Sequence, residues 1–206
     1  MGTCPMCGGA LNSKGMCTNY LHCDYVGSSS FDLYSLQNDV ESELKNNLVI
    51  IDALINEMHL QYQPEFYVLG GAALVFYKLT ERPTLDIDTA NSIDDKVRDR
   101  VDMFISDQAN SVTVLGVGYQ KRAVPYMTEL RAIKVYLLAQ EDLIITKMMS
   151  SRKKDIDDLL KSKILTTRNV QKAISVLRLE YSEDTASRYI AYIQRLKERK
   201  ESFDFE

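Results

Sequence analysis

Residues 66–88, FYVLGGAALVFYKLTERPTLDID, set the architecture of this chain. The four apolar residues at the start predict a short buried strand, and a glycine pair follows it directly. Residues 72–79 predict a helix. The alternation of apolar and acidic residues over 85–88 predicts a second, half-buried strand. The stretch therefore predicts one unit of strand, glycine turn, helix and strand.

Two carboxylates lie two positions apart in the second predicted strand. Asp86 and Asp88 point to the same face of a strand, and their repulsion there favours a bound cation. Carboxylate oxygens suit Mg²⁺, which also takes water and phosphate oxygens. An isolated pair of this kind is usually surface decoration, and Gly70-Gly71 alone indicates only a tight turn. Together they predict a site where backbone amides hold a phosphate beside a metal.

These motifs resemble those of the minimal nucleotidyltransferases of the DNA polymerase β superfamily, most closely the AbiEii-type toxins. The first motif is the glycine pair, the step Arg82-Pro83-Thr84 and Asp-Ile-Asp. The second is EDLIITK at 141–147, followed by RKKDIDDL at 152–159. The resemblance covers roughly residues 66–160 and implies an α+β fold, with a small mixed β-sheet flanked by helices and a helical C-terminal part.

The resemblance also implies a reaction and the residues that perform it. A hydroxyl group would attack the α-phosphate of an NTP and release pyrophosphate, while Asp86 and Asp88 hold one or two Mg²⁺ ions. Lys147 would neutralise phosphate charge in the transition state, and Asp155 would orient a metal, Lys147 or the acceptor. The implied nucleotide-binding residues are Gly70, Gly71, Arg82 and Thr84.

The sequence departs from the superfamily pattern in two ways. A third carboxylate on a neighbouring strand is usual there, and Glu129 lies near a predicted strand without a clear alternation. The group's Gly-Gly-Thr or Gly-Gly-Ser start is Gly-Gly-Ala here. The alternative function is a catalytically inactive nucleotidyltransferase-like protein that binds nucleic acid or a protein partner.

All four cysteines lie in the first 23 residues, at Cys4, Cys7, Cys17 and Cys23. The Cys-Pro-Met-Cys-Gly-Gly stretch resembles the first knuckle of a zinc ribbon, and a metal would stabilise a segment too short to fold alone. Five residues separate the last two cysteines instead of the usual two, so His22 is an alternative ligand to Cys23. Two disulfides or a redox pair are the other interpretations.

The 206 residues divide into four predicted segments. They are a zinc ribbon at 1–27, a linker and leading helix at 28–64, a nucleotidyltransferase-like core at 65–160 and C-terminal helices at 161–206. The leading helix is predicted by an apolar stripe at three- and four-residue steps, formed by Val40, Leu44, Leu48, Ile51 and Ile55. Further predicted elements are a helix at 93–105, a hairpin of strands at 112–117 and 119–124, and a strand at 133–138.

Charge is unevenly distributed along the chain, although the net charge is only −4. Residues 81–110 hold eight acids and four bases, whereas residues 147–172 hold eight bases and three acids. An acidic metal-holding part facing a basic part suits a magnesium nucleotide and an RNA acceptor, which the resemblance suggests is tRNA. The resemblance also suggests a cognate antitoxin. The sequence lacks a signal peptide or membrane-spanning stretch, so a cytoplasmic protein is expected.

Overall fold

A five-stranded sheet lies at the centre of the part of the chain that the structure, a computed structural model, describes: residues 33–80, 84, 86–107 and 114–203. Its strands are β1 (Glu65–Leu69), β2 (Ile87–Thr89), β3 (Ile105–Ser106), β4 (Val124–Tyr126) and β5 (Lys134–Leu137). The predicted zinc ribbon, with Cys4, Cys7, Cys17 and Cys23, lies outside the described residues, as does Arg82.

The strands follow the spatial order β3-β2-β1-β5-β4. Central β1 pairs antiparallel with β2 and parallel with β5, while β3 is parallel to β2 and β4 antiparallel to β5. Four of the five residues of β1 are buried, as expected for a strand with neighbours on both edges. The prediction of an α+β fold with a small mixed sheet is confirmed.

The described residues also form eight helices. They are α1 (Leu33–Asn56), α2 (Gly70–Phe76), α3 (Asp95–Val101), α4 (Tyr119–Arg122), α5 (Gln140–Ser150), α6 (Lys153–Lys161), α7 (Thr167–Glu180) and α8 (Glu183–Phe203). None of these helices has both the length and the hydropathy that crossing a bilayer requires. Apart from the first turn of α1, all of the described elements belong to one unit, residues 37–206.

Apolar faces at helical spacing bring the helices onto this core. Leu44, Leu48 and Ile51 of α1 are completely buried, which confirms the predicted apolar stripe of the leading helix. Helix α5 is buried over residues 141–148, so it runs through the interior and carries Lys147 into it. The C-terminal helices pack on α5, with α7 in closest association.

Two predictions about the middle of the chain are wrong. Residues 119–122 form helix α4 and the following strand begins only at Val124, while the described residues 114–118 form no strand. The backbone here bonds to a side chain instead of a neighbouring strand, since the Gly118 amide donates to Glu180 of α7 over 2.9 Å. The predicted helix at 93–105 ends at Val101, because Ile105 pairs with β2.

Candidate active site

A sharp turn joins the central strand to the helix that follows it. Strand β1 ends at Leu69, and α2 begins at Gly70, whose φ of +68° lies in the left-handed region. A Cβ on Gly70 would stand 3.2 Å from Oδ2 of Asp88. A Cβ on Gly71 would stand 3.1 Å from the side chain of Thr84. The two glycines therefore allow the Asp88 and Thr84 side chains to approach this turn closely.

The two predicted carboxylates lie beside the turn. Asp88 of β2 is the register partner of Leu69, the last residue of β1, and Asp86 immediately precedes β2. Both aspartates line an open cleft of about 260 Å³, together with Gly70 and Gly71. Asp86 is exposed and Asp88 is half-buried. The structure thus brings together the glycine pair and the aspartate pair, which lie some fifteen residues apart in the sequence.

Burial raises the pKa of Asp88 above its ordinary value, and the neighbouring charge of Asp86 raises it further. The positive charges of Arg152, Lys154 and Lys147 act in the opposite direction. Asp86 and Asp88 repel each other, and a bound cation would neutralise their combined negative charge.

Among the described residues, no third carboxylate joins Asp86 and Asp88 in a group that could hold a metal ion. Glu129 is exposed in the turn between β4 and β5 and does not line the cleft. On β3, the residue in register with Asp88 is Ser106. Any metal here would therefore take its protein oxygens mainly from Asp86 and Asp88.

Another part of the cleft lining comes from the corner between α5 and α6. Lys147 of α5 is buried, and its Nζ donates to Asp155 Oδ1 over 3.0 Å and to Asp158 Oδ2 over 2.7 Å. Asp155 also accepts hydrogen bonds from Ser150 Oγ at 2.6 Å and Arg152 Nε at 2.7 Å. We call Lys147, Asp155 and Asp158 the buried ion cluster.

The ionised form of Asp155 is stabilised by this cluster. Burial alone would raise the pKa of Asp155, but the hydrogen bond from Ser150 and the charge of Lys147 outweigh it and hold the pKa below its ordinary value. Both Lys147 and Asp155 line the cleft that contains Asp86 and Asp88.

Three charged residues that line the cleft were not predicted as site residues: Arg152, Lys154 and Asp158. Asp158 follows Asp155 by three positions in α6, so helical periodicity places both carboxylates on one face and could have identified it. Lys154 belongs to a run of three basic residues, and sequence gives no means of telling which of them faces the cleft.

The left-handed backbone conformation of Gly70 gives a testable prediction. Alanine at this position must adopt a left-handed φ and its methyl group would press on Asp88, so we expect Gly70→Ala to lower the free energy of unfolding by about 1–2 kcal/mol. Gly71→Ala is the comparison variant, because its methyl group would crowd Thr84 at a similar distance while Gly71 has no positive φ, so it should lose less stability. Urea denaturation measures both. Equal stability of Gly70→Ala and wild type would contradict the described turn.

The elements that carry this cleft fall within one matched family region. A protein-family model described as a nucleotidyltransferase of unknown function (DUF6036) matches residues 46–201, more than half of the chain. No curated protein and no solved structure matches the chain significantly. The matched region contains the glycine turn, Asp86, Asp88 and the buried ion cluster. The chain therefore belongs to this nucleotidyltransferase family.

Proposed function

We propose that this protein is a Mg²⁺-dependent nucleotidyltransferase, which moves a nucleoside monophosphate from an NTP to an acceptor hydroxyl and releases pyrophosphate. One observation carries the proposal. Asp86, Asp88, the Gly70-Gly71 turn and the basic start of α6 line a single cleft. Carboxylates that suit a divalent metal thus share one cleft with cations that suit phosphate, as a metal–nucleotide complex requires.

The residues present fit Mg²⁺. Asp86 and Asp88 offer hard carboxylate oxygens, and the missing side chain of Gly70 leaves open the space next to Asp88 Oδ2. Water and phosphate oxygens would complete the six ligands that the ion prefers. When bound, the ion would neutralise triphosphate charge and lower the pKa of the acceptor hydroxyl.

The chain's own residues would bind and orient the reactants. In the transfer step the acceptor oxygen bonds to the α-phosphorus, the bond to the bridging oxygen of the β-phosphate breaks, and the hydroxyl proton passes to solvent. The leaving pyrophosphate gains negative charge, which cations at the start of α6 are near enough to stabilise. We propose that Gly70, Gly71, Arg82 and Thr84 bind the nucleotide.

We propose that Lys147 and Asp155 serve the same reaction through the buried ion cluster. The cluster ties the end of α5 to the first turns of α6, and so fixes where the basic residues of α6 stand relative to the cleft. Preorganised charge of this kind costs no rearrangement at the moment of reaction.

A double-label experiment tests the proposed reaction. The full chain is incubated with Mg²⁺, total RNA and each NTP labelled at either the α- or the γ-phosphate. We expect the α-label to enter the acceptor and the γ-label to leave as pyrophosphate. Transfer of the γ-label would indicate a kinase-type reaction. If no NTP binds or reacts, the alternative of a catalytically inactive nucleic-acid-binding or protein-binding member replaces the proposal.

We propose RNA as the acceptor class, and tRNA as the first acceptor to test. Support comes from the exposed basic residues Arg152 and Lys154, which line the cleft and can contact a phosphate backbone. A toxic activity restrained by a cognate antitoxin is proposed from the AbiEii resemblance alone. Arrest of growth when the chain is expressed without its genetic neighbours would support it.

We further propose that Cys4, Cys7, Cys17 and Cys23 bind one Zn²⁺, with His22 as the alternative to Cys23. The support is the spacing of these residues in the sequence. Metal analysis of the purified chain tests this proposal, and a zinc-free protein with reduced thiols would overturn it.

A further inference from the structure

The basic side of the cleft contains three cations, and they are not equally available to a ligand. Lys147, Arg152 and Lys154 all line the cleft. The Lys147 side chain is only 5% exposed and its ammonium group lies between two carboxylates. Since Asp155 and Asp158 together carry two negative charges, Lys147 and its partners present no net positive charge to a phosphate.

Arg152 is also partly neutralised. Its Nε donates to Asp155, the carboxylate that Lys147 already contacts. Taken together, Lys147 and Arg152 supply two positive charges, and Asp155 and Asp158 supply two negative ones. The charges of these four side chains therefore balance one another.

Lys154 differs from both. It lies in the first turn of α6, is exposed and lines the same cleft as the aspartates, where its charge acts on Asp88. It makes no hydrogen bond or ion pair with any residue that the structure describes. Among the described residues that line the cleft, Lys154 is thus the cation that forms no ion pair with a carboxylate.

We propose that Lys154, and not Lys147, makes the direct contact with the polyphosphate of the nucleotide and so selects triphosphates over monophosphates. This inference rests on the proposed function, since it names the residue that contacts the phosphate chain of the substrate. Lys147 is then a positioning residue, which holds α6 so that Lys154 faces the cleft. An ammonium group that has no carboxylate partner can approach a phosphate without first breaking an ion pair.

The neighbouring residue Lys153 provides a matched control. Lys153 is exposed in the same turn of α6 and carries the same charge, but it does not line the cleft. Lys153→Ala and Lys154→Ala therefore change the net charge and the helix equally. Only the second removes a charge from the cleft.

Equilibrium binding to the full chain tests the proposal, with Mg²⁺ present and either a non-hydrolysable NTP or the corresponding NMP as the probe. We expect Lys154→Ala to weaken binding of the NTP analogue by about tenfold or more, as for loss of a charge-assisted hydrogen bond, and binding of the NMP by less than about twofold. Lys153→Ala should change neither by more than about twofold, and Lys154→Arg should restore most of the NTP affinity.

Three results would overturn the inference. The first is that Lys153→Ala and Lys154→Ala weaken NTP binding equally. The second is that Lys154→Ala loses equal affinity for NTP and NMP, and the third is that Lys147→Met, but not Lys154→Ala, loses affinity for NTP selectively. Failure of the proposed function is distinguishable, because wild type would then either bind no NTP or fail to transfer the α-label. In each of the three results above, wild type still binds and transfers nucleotide.

Discussion

Asp88→Asn is expected to lower the rate of nucleotidyl transfer by about 100-fold or more while leaving the folded protein at least as stable as wild type. A bound metal supplies several kcal/mol of charge stabilisation in such reactions, and each 1.4 kcal/mol or so corresponds to a factor of ten in rate. Because burial and Asp86 raise the pKa of Asp88, its ionised form is disfavoured in the folded state. A neutral isostere removes that cost at pH 7.

The combination of lost activity and retained stability distinguishes a functional carboxylate from a structural one. Initial rates of pyrophosphate release and thermal unfolding measure the two quantities. Asp86→Asn should lose activity in the same way, because Asp86 lines the same cleft. Asp99→Asn is the control, since Asp99 is an exposed carboxylate of α3 outside the cleft. Near-normal transfer by Asp88→Asn would place the chemistry elsewhere.

Lys147→Met is expected to lower the free energy of unfolding by about 3–5 kcal/mol, the cost of breaking a buried ion pair from one side. The variant leaves Asp155 and Asp158, whose side chains are 6% and 9% exposed, without the ammonium group that they share. Arg152 and Ser150 still contact Asp155, so the loss should be smaller than that for a carboxylate left with no contact. Urea denaturation followed by circular dichroism measures the change.

A surface lysine with one carboxylate partner serves as the control for this variant. Lys172 is half exposed and lies 3.8 Å from Glu141, so Lys172→Met should cost less than about 1 kcal/mol. The double variant Lys147→Met/Asp158→Asn removes one of the two carboxylate charges that Lys147 contacts, so it should recover part of the lost stability. If Lys147→Met and Lys172→Met cost the same, the ion cluster is not the buried structure described here.

The fold and the acidic half of the site could be predicted because their determinants are local. A buried four-residue strand, a glycine pair and an Asp-x-Asp strand each have a short sequence pattern, and the structure brings Gly70, Asp86 and Asp88 together through one β1–β2 pairing. The apolar stripe of α1 and the C-terminal helices were predicted for the same reason, since helical periodicity is a local property.

The elements that were predicted wrongly depend on distant contacts. Residues 114–122 have the glycines and tyrosine of a hairpin, but Glu180 of α7 binds the Gly118 amide and ion-pairs with Arg122, which also contacts Asp142. No sequence pattern near residue 118 predicts that a carboxylate some sixty residues later binds there. The side-chain bonds replace the strand pairing that local propensity favours.

The basic half of the site needed the structure for a similar reason. Lys147 and Asp155 were predicted as site residues, but their pairing inside the protein, with Asp158 as a third member, depends on how α5 packs against α6. The sequence shows three adjacent bases at 152–154. The structure distinguishes Lys154, which lines the cleft, from Lys153, which does not.

The central claim is that one cleft holds a metal–nucleotide complex between the two aspartates and the start of α6. Nuclear magnetic resonance of the full chain with Mn²⁺ and a non-hydrolysable NTP tests it most directly, because the paramagnetic ion broadens the signals of nearby amides. The account predicts that the amides of Gly70, Gly71, Asp88 and Lys154 broaden together, and that Asp88→Asn removes the effect. Unchanged signals at these residues, or broadening centred on another part of the chain, would contradict it.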